Sequence, residues 1–102
     1  MPNPVKVLLL GGTSEARMLA ARLDGDDRFT VETSLAGATE NPLPVAGESR
    51  RGGFGGTVGL VCYLRAVSVD IVIDCTHAFA AKISRNAAEA CDQTRIERLV
   101  VQ

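Results

Sequence analysis

The sequence predicts an α/β domain in which a parallel sheet carries helices on both faces. Two observations lead there: short apolar runs of the kind buried on both sides of a sheet, and helical stripes lying between those runs along the whole chain. A third sets the scale, because 102 residues are enough for one core and too few for two domains.

Val5, Val7, Leu8, Leu9 and Leu10 form a nearly continuous apolar run, read as the first strand, which stops at Gly11-Gly12. Thr13 or Ser14 then N-caps a helix. Its stripe is Ala16, Leu19, Ala20 and Leu23, at i, i+3, i+4 and i+7, with Glu15 in the first turn where the helix dipole favours an acid. Asp24-Gly25-Asp26-Asp27 breaks this helix, and the alternation of Phe29, Val31, Thr33 and Leu35 marks a second strand, completing a β-α-β unit. Residues 36–48 hold Gly37, Pro42, Pro44 and Gly47 without a sustained period and read as a long loop. Arg50-Arg51-Gly52-Gly53-Phe54-Gly55-Gly56 follows, entered by a short extended piece and left by a helix over 58–66 with Leu60, Val61 and Leu64 inward. Ile71-Val72-Ile73 is the next buried strand, ending at Asp74-Cys75-Thr76-His77. A helix begins near Ala80, with Ile83, Ala87 and Ala90 or Cys91 on one face, and Leu99-Val100-Val101 forms the last strand. No internal repeat of 20 to 50 residues is visible.

Charge and cysteine content narrow the function classes. Net charge is -1, from 11 Lys and Arg against 12 Asp and Glu, so neither nucleic acid nor an anionic membrane surface is a favoured partner. Cys62, Cys75 and Cys91 are widely spaced and odd in number, which suits reduced, buried thiols rather than a disulfide framework or a zinc site. The first apolar run is too short for a secretory or membrane segment and contains Lys6, so the cytoplasm is the expected compartment. No Ser-His-Asp order, paired-carboxylate site or metal-ligand cluster can be assembled, which disfavours a hydrolase and leaves no metal site to name.

The chemistry-bearing features are loops at strand ends. Gly11-Gly12-Thr13-Ser14-Glu15-Ala16 joins a strand to a helix start, where free N–H groups and the helix dipole suit a phosphate. Against G-x-G-x-x-G it reads G-x-T-x-x-A, a weak match, and the absence of G-K-[ST] disfavours a P-loop. A plain strand-to-helix turn is the competing reading. Glu32 has the spacing of a ribose-reading acid, but its side-chain parity favours a solvated strand carboxylate. That leaves Ser34 at the strand end and tilts the reading toward a 2′-phosphorylated dinucleotide. Around Phe54, four glycines permit either close approach to a flat ligand or a turn with Phe54 tucked into the core, two readings of equal weight. Arg50 and Arg51 suit a carboxylate or phosphate, although solvation is the commoner state for such arginines. Asp74, Thr76 and His77 lie at the strand edge where open α/β sheets place ligands. A lone histidine at a helix start is more often structural, and Ser84 and Asn86 read first as ordinary helix surface.

In order along the chain, Leu8 to Ala16 (LLLGGTSEA), Ser34 to Gly37 (SLAG), Gly52 to Gly56 (GGFGG), Asp74 to Ala80 (DCTHAFA) and Ser84-x-Asn86-Ala87 together resemble the motifs of the precorrin-6A reductases, including the cobalt-precorrin-6A enzymes. The resemblance implies a Rossmann-like fold and NADPH-dependent reduction of a tetrapyrrole macrocycle in cobalamin biosynthesis, with hydride passing from the nicotinamide. By the same resemblance Gly11, Gly12, Thr13, Ser14 and Glu15 hold the pyrophosphate and nearby ribose, and Ser34 with Gly37 lies by the adenosine. Gly53, Phe54, Gly55, Thr76 and His77 line the nicotinamide and substrate side. No catalytic residue is assigned.

Three departures from the family pattern qualify this. Position 38 is Ala where the family usually has Arg, so a 2′-phosphate needs Arg50 or Arg51 instead. Ala78 stands where the family has Pro, and the segment 92–98 lacks the usual Gly-x-Pro. Family members also continue into a second α/β domain. The expectation is therefore one cofactor-binding domain over 1–102, without efficient turnover by itself. The alternative is a non-catalytic nucleotide-binding module. A flavodoxin-like or receiver domain is weaker, because no acidic cluster or flavin loop is present.

Overall fold

The structure is a computed structural model that describes residues 3–35, 45–76 and 80–101. Eight elements follow in chain order: β1 (Val5–Leu10), α1 (Ser14–Asp24), β2 (Phe29–Leu35), β3 (Glu48–Arg51), α2 (Gly56–Ala66), β4 (Ile71–Asp74), α3 (Ala81–Thr94) and β5 (Glu97–Val100). The strands make one parallel sheet in the order β3-β2-β1-β4-β5. The chain builds outward from β1 in one direction and then in the other, so a topological switch point lies between β1 and β4.

The apolar run of β1 forms the core because both of its faces are covered. Leu8 and Leu10 face α2 and α3, packing with Leu60, Leu64, Val72, Ala87 and Ala90, whereas Val7 and Leu9 face α1, packing with Ala16, Ala20, Val31 and Ile73. Leu8, Leu9 and Leu10 are each at most 1% exposed, and each such side chain contributes roughly 1.5–3 kcal/mol by leaving water. This is the α/β sheet with helices on both faces that the sequence predicts.

Several boundaries differ from the sequence reading, for local reasons. The short extended piece before the glycines is strand β3, whose sequence Glu48-Ser49-Arg50-Arg51 carries no apolar alternation because it is an edge strand. Helix α2 starts at Gly56 rather than Val58, since Gly55, its N-cap, lies in the left-handed region (φ 86°) and a glycine can turn the chain there. Arg95, also left-handed (φ 60°), ends α3, so β5 begins at Glu97, two residues before the apolar stretch that announced it. Cys75 and Cys91 are buried free thiols that burial pushes above the ordinary cysteine value, but Cys62 is exposed on α2, which corrects the expectation of three buried thiols. Among the described residues no helix is long and apolar enough to cross a membrane, and no acidic, histidine or cysteine cluster could hold a metal.

Candidate functional site

The C-terminal ends of β1 and β4 open on a cleft of about 580 Å³ at the switch point, lined among others by Thr13, Glu15, Cys75, Thr76, Ser84 and Val101. Its floor is the β1–α1 turn. The Gly11 N–H donates to the Ser34 carbonyl at 2.9 Å, and a Cβ on Gly11 would stand 2.7 Å from Thr33 Cγ2, so only glycine lets β1 leave the sheet beside β2. Gly12 has φ +113° and open space on its Cβ side, the conformation that turns the chain into α1. Thr13, rather than Ser14, is the N-cap. Its Oγ1 accepts the Ala16 N–H at 3.1 Å and donates to the Cys75 carbonyl at 2.8 Å, so one hydroxyl caps the helix and ties the turn after β1 to the turn after β4.

The opposite wall is organised by Asp74, which is 2% exposed. Its Oδ1 accepts the Thr76 N–H at 3.0 Å and the Thr76 hydroxyl at 2.6 Å, and its Oδ2 accepts the Ser84 hydroxyl at 2.6 Å with Arg98 Nη1 at 3.6 Å. A buried carboxylate held by an amide, two hydroxyls and a guanidinium is a compensated charge. Asp74 is thereby the clamp that fixes the β4–α3 turn, and the Thr76 hydroxyl is committed to it. Ser84, read from sequence as helix surface, belongs to this clamp and lines the cleft, whereas Asn86 accepts from Thr57 Oγ1 at 3.2 Å in the α2–α3 contact.

A second group of polar side chains gathers at the ends of β2 and β3, on the face covered by α2. Ser34 and Arg50 are register partners. Ser34 is 2% exposed and its Oγ has no hydrogen-bond partner among the described residues, nor has the buried Nη1 of Arg50. The Arg50 guanidinium lies 4.1 Å from the Phe54 ring centroid and 4.8 Å from that of Tyr63, and the two rings are tilted against each other at 5.2 Å. Arg50 is therefore a stacked cation rather than a solvated one, and Phe54 packs partly buried against the core. Glu32 accepts a hydrogen bond from the Tyr63 hydroxyl, which overturns its reading as a solvated strand carboxylate. Burial and that bond to Glu32 push the Tyr63 phenol up to about 12.

The comparisons with known proteins bear on this arrangement. A family model described as "Precorrin-6x reductase CbiJ/CobK" matches residues 6–102. The chain belongs to the precorrin-6A reductase family. It is 43% identical over 97 residues to a precorrin-6A reductase from Sinorhizobium sp., covering 95% of this chain and 37% of that protein. It is 45% identical to a Rhodococcus erythropolis precorrin-6A reductase, covering 95% of this chain and 39% of that one. A solved structure titled "CobK precorrin-6A reductase" superposes with a TM-score of 0.90 at 45% identity, over 96% of this chain and 39% of the other. The chain thus spans under two fifths of the length of these relatives.

Within this member of the family, Thr13, Glu15 and Thr76 line the switch-point cleft, and Gly11, Gly12 and Ser14 belong to the β1–α1 turn beside it. Ser34 lies one strand over, joined to the same turn through its carbonyl. Gly53, Phe54 and Gly55 form the turn into α2, on the Arg50 side, and do not line the cleft with Thr76, the side where the resemblance implied they would lie. Gly37 and His77 lie outside the described residues. Sequence reasoning missed the Tyr63 hydroxyl, whose partner is 31 residues away, and Gly59. A Cβ on Gly59 would collide with the Phe54 carbonyl oxygen, so α2 packs directly on the backbone of the glycine-rich turn.

Proposed function

We propose that this chain is the NADPH-binding part of a precorrin-6A reductase, acting on precorrin-6A or its cobalt-bearing counterpart in cobalamin biosynthesis. The carrying observation is the pair of strand-end turns at the switch point, tied together by the Thr13 hydroxyl. Open α/β sheets bind dinucleotides at such points. The chain's own groups suit that cofactor: Gly11 permits close approach of β1 and β2, Gly12 leaves the helix start open, and the buried Ser34 hydroxyl lacks a partner among the described residues.

When bound, NADPH supplies the hydride. The protein's residues bind and orient. The N–H groups at the start of α1 favour the pyrophosphate through the helix dipole. Glu15, exposed in that first turn and 3.4 Å from the Ser14 hydroxyl, carries a negative charge that disfavours phosphate and suits a ribose hydroxyl instead. Preference for NADPH over NADH is supported by the end of β2, which carries Ser34 and Leu35, while the Glu32 carboxylate is engaged by Tyr63. The Asp74 clamp shapes the wall that would face the nicotinamide. Bringing a macrocycle to within hydride distance, about 3–3.5 Å, is assigned to length that the relatives have beyond the matched region.

Fluorescence titration tests this reading. Saturable binding of NADPH, tighter than NADH, with no reduction of precorrin-6A by these 102 residues alone is the expected result. Absence of binding to either nucleotide sinks the cofactor reading, and efficient turnover sinks the assignment of substrate positioning to other parts of the protein.

A further inference from the structure

We propose that Arg50 is the residue that selects for the 2′-phosphate, with the Ser34 hydroxyl beside it, an inference that rests on the dinucleotide reading above. Three observations carry it. The first is placement: Ser34 and Arg50 are paired across β2 and β3 at the C-terminal edge of the sheet. The Ser34 carbonyl takes the Gly11 N–H, so the pair lies beside the turn that opens α1, with β3 two strand spacings, roughly 10 Å, from β1. In sheets of this strand order the end of β2 meets the adenosine ribose.

The second observation is unmet hydrogen-bonding capacity. Ser34 Oγ and Arg50 Nη1 are both buried without a partner among the described residues. A buried guanidinium nitrogen and a buried hydroxyl on neighbouring strands, both able to donate, ask for an acceptor carrying negative charge. A phosphate monoester supplies oxygens in the geometry a guanidinium reads two at a time.

The third is preorganisation. Gly52 and Gly55, with φ of +87° and +86°, turn the chain so that Phe54 comes back over Arg50, and Tyr63 approaches the same guanidinium. Tyr63 is itself anchored by its bond to Glu32. Two rings therefore fix the plane of the cation before any ligand arrives, which lowers the ordering cost of binding. The glycine-rich motif then acts as a support for Arg50, and Glu32, at the ribose-reading spacing, serves the same support through Tyr63.

The test is a set of affinities on the intact chain for NADPH, NADH, 2′,5′-ADP and 5′-AMP, with Arg50→Gln, Arg50→Lys and Ser34→Ala variants checked for folding by circular dichroism. The wild type should prefer each 2′-phosphorylated ligand by about tenfold or more, the size of one charge-assisted hydrogen bond. Arg50→Gln should bring that ratio to about twofold or less while leaving NADH and 5′-AMP affinity unchanged, Arg50→Lys should fall between, and Ser34→Ala should reduce the ratio by a smaller factor. Should Arg50→Gln fail to fold, the Lys and Ala variants decide on the same ratio. Retention of the full preference in the folded variants overturns the proposal and leaves NADPH binding intact. Equal wild-type affinity for NADPH and NADH also overturns it while the dinucleotide reading stands, and binding of neither ligand brings both down.

Discussion

Tyr63 is the single tyrosine of a chain without tryptophan, so its ionisation can be followed by near-ultraviolet absorbance without interference. Burial first, then the hydrogen bond to Glu32 and its charge, push the phenol from an ordinary value near 10 up to about 12. The titration midpoint should lie there, and Glu32→Gln should bring it down part of the way, because burial remains. The linkage has a definite sign. The folded chain keeps the Tyr63 proton at pH values where the unfolded chain has lost it, so this contribution to stability is complete below about pH 10 and declines as pH rises toward 12. Denaturation midpoints of wild type and Tyr63→Phe across that range check it, and parallel curves would count against it. Gly59 makes a second residue-scale prediction. Gly59→Ala drives a Cβ into the Phe54 carbonyl and should cost at least about 1–3 kcal/mol. Alanine at its neighbour Val58, which is 76% exposed, should fall within about 0.5 kcal/mol of wild type by denaturant unfolding. Neither residue stands out in the sequence, because periodicity reports which face a side chain takes and not what lies 5 or 31 positions away against it.

At the scale of elements, legibility followed burial. β1, β2, β4 and the three helices were readable because their apolar residues recur with the period of the element and meet a covered face. β3 was readable only as an extended piece, since an edge strand of charged residues owes its pairing to β2 rather than to its own pattern. β5 has Glu97 and Arg98 at its start, and Arg98 is drawn in by Asp74 instead of by apolar packing. The loop positions of the candidate site were likewise visible as glycines and hydroxyls at strand ends, but their division of labour was not. Thr13 illustrates this: the sequence offers a cap, and the structure adds the bond to the Cys75 carbonyl, 62 residues away. Thr13→Ala therefore removes a cap, worth about 1 kcal/mol, and a tether between two turns. The expected loss is about 1–2 kcal/mol in denaturant unfolding, with weaker dinucleotide binding, and Thr13→Ser should restore most of both. A Thr13→Ala chain as stable as wild type would show that the turns are held by other contacts.

At the scale of the whole molecule, the switch point couples the candidate site to global stability. The turns after β1 and β4 meet there, and the turn after β1 is bonded to the end of β2, so a ligand spanning them touches three of the five strands through their ends. On the proposed reading, NADPH binds the folded chain and has nothing comparable to bind in the unfolded one. Mass action then stabilises the fold by about 2.7 kcal/mol at one hundred times Kd. For a single cooperative domain of this size each kcal/mol shifts Tm by about 4–8 °C, so the expected rise is on the order of 10–20 °C, larger than with NADH at the same concentration. A ligand that merely stuck to an exposed loop would not share the free energy of the core strands and would leave Tm nearly unchanged. Thermal unfolding with increasing NADPH separates the two. A Tm rising with the logarithm of ligand concentration supports a site built on the β1, β2 and β4 ends, and a flat Tm at saturating fluorescence removes the site from the sheet edge.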